Sequence, residues 1–259
     1  MSASTVTHHE LIFLFVPASL DIMSREWPIS KATEKDAEGI ASLLVESWAD
    51  PFSRLQLGNA ESTDSAAAMA PRIARQMKAP DMEMFIIREP ATGEIVAVTQ
   101  WHLPKDVPVN NETQEERDER QALEDELYMK RLPERSNKEL IIEFGAGLRN
   151  LREGFIGNEK HYLLNNIATH QDYRGQGLAS RLIEDMLLRA DAEKTLVYLE
   201  TASNNPAMRM YKRLGFEEYG QFTMEDLSKF ASQEELDRCG GISKHTHVVF
   251  YRRPKSSLE

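Results

Sequence analysis

The sequence predicts an α/β fold of six to seven strands flanked by helices. Three observations carry this. Apolar residues recur at helical spacing in several stretches, short apolar strand-like runs bounded by turn residues alternate with them, and a glycine turn, "YRGQGLASRL" (Tyr173 to Leu182), joins one such run to one such helix. No internal repeat or low-complexity tract interrupts the pattern.

In chain order, "WPISKAT" reads as a short strand. Thr33 follows as an N-cap with Asp36 at the third helical position, and Ala37, Ile40, Ala41, Leu44 and Trp48 form an apolar stripe, so a first helix runs from about Glu34 to Trp48. "ADPFSRLQLGN" reads as a loop, and "DSAAAMAPRIARQMK" as a second helix that Pro71 interrupts. "MEMFIIRE" and "EIVAVTQWHL", joined through Pro90 to Gly93, have the grammar of a hairpin. From Lys105 to Lys160 the composition becomes highly charged and two further helices are predicted. They read as an insertion, because the strand pattern resumes at Tyr162–Thr169. The acidic cluster Glu112, Glu115, Glu116, Asp118 and Glu119 reads as a solvated face, or alternatively as an attractor of cations. After the glycine turn, Leu178, Leu182, Met186 and Ala190 mark a helix, "TLVYLETA" a strand, and Asn205 with Pro206 the start of a short helix that Gly215 ends. "FEEYGQF" and "THVVFYRR" close the chain as paired strands.

Composition narrows the function. With 259 residues and 41% hydrophobic content the chain can fill one large core or two small ones. Its 42 acidic and 31 basic residues leave a formal charge of −11, which argues against nucleic-acid and membrane-surface partners and favours a cationic one. The single cysteine, Cys239, excludes an internal disulfide framework and points to a reducing, cytoplasmic setting. The seven histidines show no ligand spacing with carboxylates or cysteine, so no metal is expected. Leu11 to Leu20 is apolar but too short to span a bilayer and lacks a basic leader, so it reads as a strand or docked arm. Met23 is a second candidate start, and Leu258-Glu259 reads as a vector scar.

The glycine turn admits two chemistries. Bare N–H groups at a helix start bind phosphate. The rival is a dinucleotide fingerprint, for which Gly175 and Gly177 are correctly spaced and Glu200 ends the next strand, but the third glycine is Ser180 and no train of βα units follows. Arg174, Gly177 and Ala179 form the pattern R-x-x-G-x-A, and "NNPAMRMYKRLGF" downstream carries Asn204, Ala207, Tyr211, Gly215 and Phe216. The two stretches, separated by a helix and a strand, resemble the GNAT superfamily of acyl-CoA N-acyltransferases. The likeness in architecture extends from about Trp27 to Arg253, and its specific motifs lie between Tyr162 and Phe216.

The resemblance implies a GNAT fold: a mixed, mostly antiparallel sheet, splayed at the cofactor site. It implies an N-terminal extension over residues 1–26 and one acetyltransferase domain over 27–256, with the helical insertion at about 105–160. It implies acetyl-CoA as cofactor, its pyrophosphate on the backbone between Arg174 and Ser180, through Gly175, Gln176, Gly177, Leu178 and Ala179. Its pantetheine arm is expected on Ile167, Ala168 and Thr169, with Asn204 as a polar partner. Tyr211 falls at the family's general-acid position; its alternative is a core tyrosine. Many relatives hold a carboxylate on the cofactor strand, where this chain has Leu163, Asn165 and Asn166. Glu200 is the leading substitute as base, with a structural role as its alternative; His170, Glu143 and an amine deprotonated by solvent are others. Trp48, Phe52, Trp101, His102 and Asn165 are the candidate acceptor-side residues.

The expected activity is transfer of an acetyl group from acetyl-CoA to a small-molecule primary amine, by a monomer or homodimer. An acetyltransferase for protein lysines or N-termini and a non-catalytic acyl-CoA sensor are the alternatives.

Overall fold

The computed structural model describes residues 27–58, 61–105 and 113–255; the readings at Leu11–Leu20, Met23, Glu112 and Leu258-Glu259 lie outside the described residues. Its frame is one seven-stranded sheet of β1 (Ile29–Lys31), β2 (Met82–Arg88), β3 (Ile95–His102), β4 (His161–Thr169), β5 (Leu196–Ala202), β6 (Glu217–Met224) and β7 (His245–Arg252), in the order β1-β2-β3-β4-β5-β7-β6. Only β4 and β5 pair in parallel; every other pair is antiparallel. The mixed, mostly antiparallel sheet expected from the sequence is present.

The helices are α1 (Ala37–Ser47), α2 (Pro51–Gln56), α3 (Ser62–Gln76), α4 (Gln114–Arg131), α5 (Lys138–Ile156), α6 (Leu178–Ala192), α7 (Met208–Arg213) and α8 (Gln233–Arg238). Buried Ile40, Leu44 and Ile73 of α1 and α3 pack on Met84, Ile86 and Val98, while Leu178, Leu182, Ile183 and Tyr211 of α6 and α7 fill the opposite face. Burying such aliphatic side chains stabilises by roughly 2 kcal/mol each, so both layers hold the sheet from its two sides. Helix α5 lies on β6 so closely that a Cβ on Gly147 would stand 2.1 Å from Phe222 Cζ.

Three local expectations are corrected, and the start of the first helix at Thr33 and Glu34 holds with a tighter first turn. Residues 51–56 are helix α2, not loop, because Asp50 Oδ1 accepts from the N–H groups of Phe52 and Ser53 and Pro51 opens the first turn. Helix α3 runs unbroken past Pro71, its packing outweighing one lost hydrogen bond. Asn205 does not cap α7; its Oδ1 accepts from Ala207 N at 2.9 Å in the turn before it, and Ala207 is the N-cap. The first helix starts as a 3-10 turn, Glu34–Asp36, where Thr33 N and Oγ1 both donate to Asp36 Oδ2. Helix α8, in the connection to β7, had no counterpart in the sequence reading.

The sheet splits at one place. Parallel pairing runs from His161↔Leu196 to Leu164↔Leu199 and stops; beyond it β4 stays with β3, and β5 with β7. At the same point β3 skips Asn165, pairing Trp101 with Leu164 and Gln100 with Asn166. That extra residue is a β-bulge, which bends β4 away from β5.

Candidate active site

The wedge between β4 and β5 opens into a cleft of about 1860 Å³. Ile167, Ala168, Thr169, Arg174, Gly175, Gly177, Leu178, Ala179, Ser180, Asn204 and Tyr211 line it, as do Glu200, Trp48, Phe52, His102 and Asn165. Residues expected to act together, from six elements and the turns beside them, therefore share one space. Gln176 lies in the turn but not on the wall, and neither His170 nor Glu143 reaches the wall. Trp101 is a correction: it is fully buried in the core with Tyr162 and Ile183, because the strand alternation turns its indole away from the cleft.

The glycine turn is the head of α6. Gly175 and Gly177 have φ of +77° and +79°, a left-handed backbone that side chains adopt only at a cost, and Gly177 is the N-cap. A Cβ built on either meets no atom within 4 Å, so it would project into the cleft. None of the backbone N–H groups from Gly175 through Ser180 has an acceptor among the described residues. Together with the helix dipole, these donors form an anion cradle. Arg174 Nε is held on Thr169 O at 3.2 Å, and Arg213 Nη2, which the sequence reading missed, donates to Ser180 Oγ at 3.2 Å. Beside them Thr169 Oγ1 is buried without a hydrogen-bond partner.

Tyr211 is 2% exposed, its ring against Phe216 and Phe250, and burial pushes its hydroxyl pKa well up. Burial alone acts on its hydroxyl, with no hydrogen bond from the described residues, and the residue lines the cleft. The phenol is thus held protonated at the wedge.

Glu200 sits across the wedge with a side chain 9% exposed, both oxygens 2.8 Å from Arg152 Nη2 of α5. Burial raises its pKa, and the guanidinium pulls against that rise. Arg152 also lies over the Tyr198 ring at 5.5 Å.

Two histidines complete this wall. His245 Nε2 and His247 Nδ1 are 2.8 Å apart, and Phe52 stacks on His245 at 3.6 Å. Burial lowers their pKa values to about 4 and about 3, against a weak opposing pull from Asp50, so both are neutral near pH 7. Their i, i+2 spacing on a strand, which puts them on one face, was a signal present in the sequence. On β4, Asn166 Nδ2 donates to Gln100 Oε1 at 2.6 Å and Gln100 Nε2 to Gln76 Oε1 at 3.1 Å, an amide relay from the bulge to α3.

Among the described residues no helix is long and apolar enough to cross a membrane, and no group of three metal-ligating side chains occurs. Residues 137–218 match the model of the acetyltransferase (GNAT) domain. No curated protein matches the chain. A solved mutant of agmatine N-acetyltransferase, in its apo form, is similar with a TM-score of 0.56 and 14% identity over 87% of this chain and 98% of that one. A Corynebacterium glutamicum structure, described as histone acetyltransferase HPA2 and related acetyltransferase, gives 0.50 and 19% over 90% and 99%. Arabidopsis thaliana NAA60 with a bisubstrate analogue gives 0.50 and 13% over 90% and 100%. The domain match thus falls on the segment that carries the anion cradle and α7, and the fold of the chain is shared across these acetyltransferase structures.

Proposed function

We propose that the chain moves an acetyl group from acetyl-CoA to the primary amine of a small molecule. One observation carries the reading: the acceptor-free N–H groups from Gly175 to Ser180, at the head of α6, open onto the wedge between β4 and β5. A pyrophosphate fits such donors, with Arg174 and Arg213 adding charge. The edge of β4 at Ile167–Thr169, released from β5, suits a pantetheine arm, and Asn204 lies on the same wall.

Acetyl-CoA supplies an acyl group activated as a thioester. The chain's own residues do the rest. Tyr211 holds a proton for the leaving sulfur, and Glu200, its pKa raised by burial against the opposing pull of Arg152, takes the proton of the attacking amine through water. A β4 backbone N–H near Ile167 stabilises the oxyanion. Trp48, Phe52, His102 and Asn165 bound the acceptor side.

Calorimetry with CoA and thiol release measured over a panel of amines test this. Micromolar CoA binding with turnover on small amines supports it. Turnover confined to peptide lysines or N-termini replaces it with the protein-acetylating alternative, and CoA binding without any turnover replaces it with the sensor.

A further inference from the structure

The acceptor half of the cleft is cationic although the chain carries −11 overall. Arg72 and Arg75 of α3, Arg131 of α4 and Arg135 beyond it line this half, and none forms an ion pair with a carboxylate among the described residues. Two of the four acids on the wall are already engaged: Asp50 caps α2 and Glu200 holds Arg152. Asp64 and Glu134 remain against four guanidiniums that have no carboxylate partner among the described residues.

The position of Arg72 gives this charge a chemical meaning. Gln76 is tied through Gln100 to Asn166 at the bulge, and Arg72 lies one helical turn from Gln76 on the same face. Arg72 Nη1 also donates to Tyr128 OH at 3.2 Å, which fixes the side chain between α3 and α4. The backbone position of Arg72 therefore lies about one turn, roughly 5–6 Å along α3, from Gln76, the anchor beside the cofactor strand. That spacing suits the far end of a small amine whose nitrogen reaches the thioester. Open guanidiniums in a cleft recognise carboxylate and phosphate oxygens through paired, charge-assisted N–H donors.

We propose that the acceptor carries an anionic group, a carboxylate or phosphate, which Arg72 and Arg75 bind while its amine faces Glu200. This rests on the acetyltransferase reading of the same cleft.

The test compares matched acceptors: 4-aminobutyrate against its primary amide, phosphoethanolamine against ethanolamine, and agmatine as a cationic control. For the protein as it stands, kcat/KM should favour the anionic member by on the order of tenfold or more, and the pair with the larger ratio tells carboxylate from phosphate. R72Q and R75Q should remove most of that preference by raising KM, with CoA affinity and thermal stability unchanged. In parallel, calorimetry on the CoA-loaded protein reads binding of phosphoethanolamine and 4-aminobutyrate directly, even if turnover is slow. Equal rates within each pair, a preference for agmatine, or no anion-dependent binding overturns the proposal while leaving an acetyltransferase in place. Weakened CoA binding in R72Q also overturns it, assigning the arginines to the cofactor. If CoA itself does not bind, the acetyltransferase reading has failed instead.

Discussion

Arg152 Nη2 stands 2.8 Å from both carboxylate oxygens of Glu200, so a helix inserted between β3 and β4 clamps a strand on the far side of the wedge. The pair joins α5 to the floor of the cleft, and its worth depends on how little water reaches it.

Replacing Arg152 by Met leaves Glu200 buried without its cation. Breaking a buried pair from one side costs about 3 kcal/mol, so the urea midpoint should fall accordingly. Adding Glu200→Gln should recover most of the loss, since the uncompensated charge is then gone. If Glu200 is the base, losing Arg152 raises its pKa further and the acidic limb of kcat/KM moves to higher pH. An unmoved limb assigns Glu200 to structure.

Gly177→Glu sets a carboxylate and a Cβ into the open space of the anion cradle. CoA binding should be lost, with a stability cost of about 1–2 kcal/mol from the left-handed backbone. Gly93→Ala is the control: its φ is +76° and its Cβ also meets nothing, but it lies in the hairpin turn away from the cleft. It should cost similar stability and leave CoA affinity alone. NAD and NADP should give no thermal shift, and a clear shift with either would revive the dinucleotide reading.

Tyr211→Phe keeps the packed ring and removes the proton donor. Turnover should fall about 10²-fold with CoA affinity and stability near native values, and a tenfold fall still supports the role because a thiolate leaves readily. An undiminished kcat at saturating acetyl-CoA, where chemistry limits the rate, returns Tyr211 to the core.

Stability should decline as pH falls from about 6.5 toward 4. His102, His161, His245 and His247 all have pKa values lowered by burial, to about 4 and about 3 in the last two. Below the unfolded value near 6.5 the unfolded chain binds protons that the folded chain refuses, so this stability is present above that pH and is lost on acidification. The raised Glu200 acts with the opposite sign, taking up a proton more readily when folded. Urea midpoints measured against pH should therefore slope less steeply in H245Q/H247Q. An identical slope would show that these two histidines are not buried as neutral groups.

Much of the frame is legible in the order of residues. The seven strands and the main helices follow from local periodicity, and the anion cradle follows from Gly175 and Gly177, whose left-handed backbone is a local need. Helix α2 was hidden because six residues carry little periodicity, although Asp50-Pro51 marked its start. Pro71 read as a break because local rules exclude the packing of α3 on α1 that holds the helix straight through.

Side-chain neighbours were decided only by tertiary structure. Glu200 could be named from the end of its strand, but its partner Arg152 lies 48 residues earlier on another element. Trp101 was one residue from the cleft-lining His102, and strand alternation with the bulge at Asn165 sent it into the core. The overall charge of −11 pointed to a cationic partner, whereas the fold gathers Arg72, Arg75, Arg131 and Arg135 on one wall and engages Asp50 and Glu200 elsewhere. The sequence by itself determined the elements and the left-handed glycine turn at the head of α6, because hydrogen-bonded backbone and φ preferences act over a few residues. The chemistry of the cleft wall depended on which distant side chains the sheet order brings within a few ångströms, and only the tertiary structure decided that.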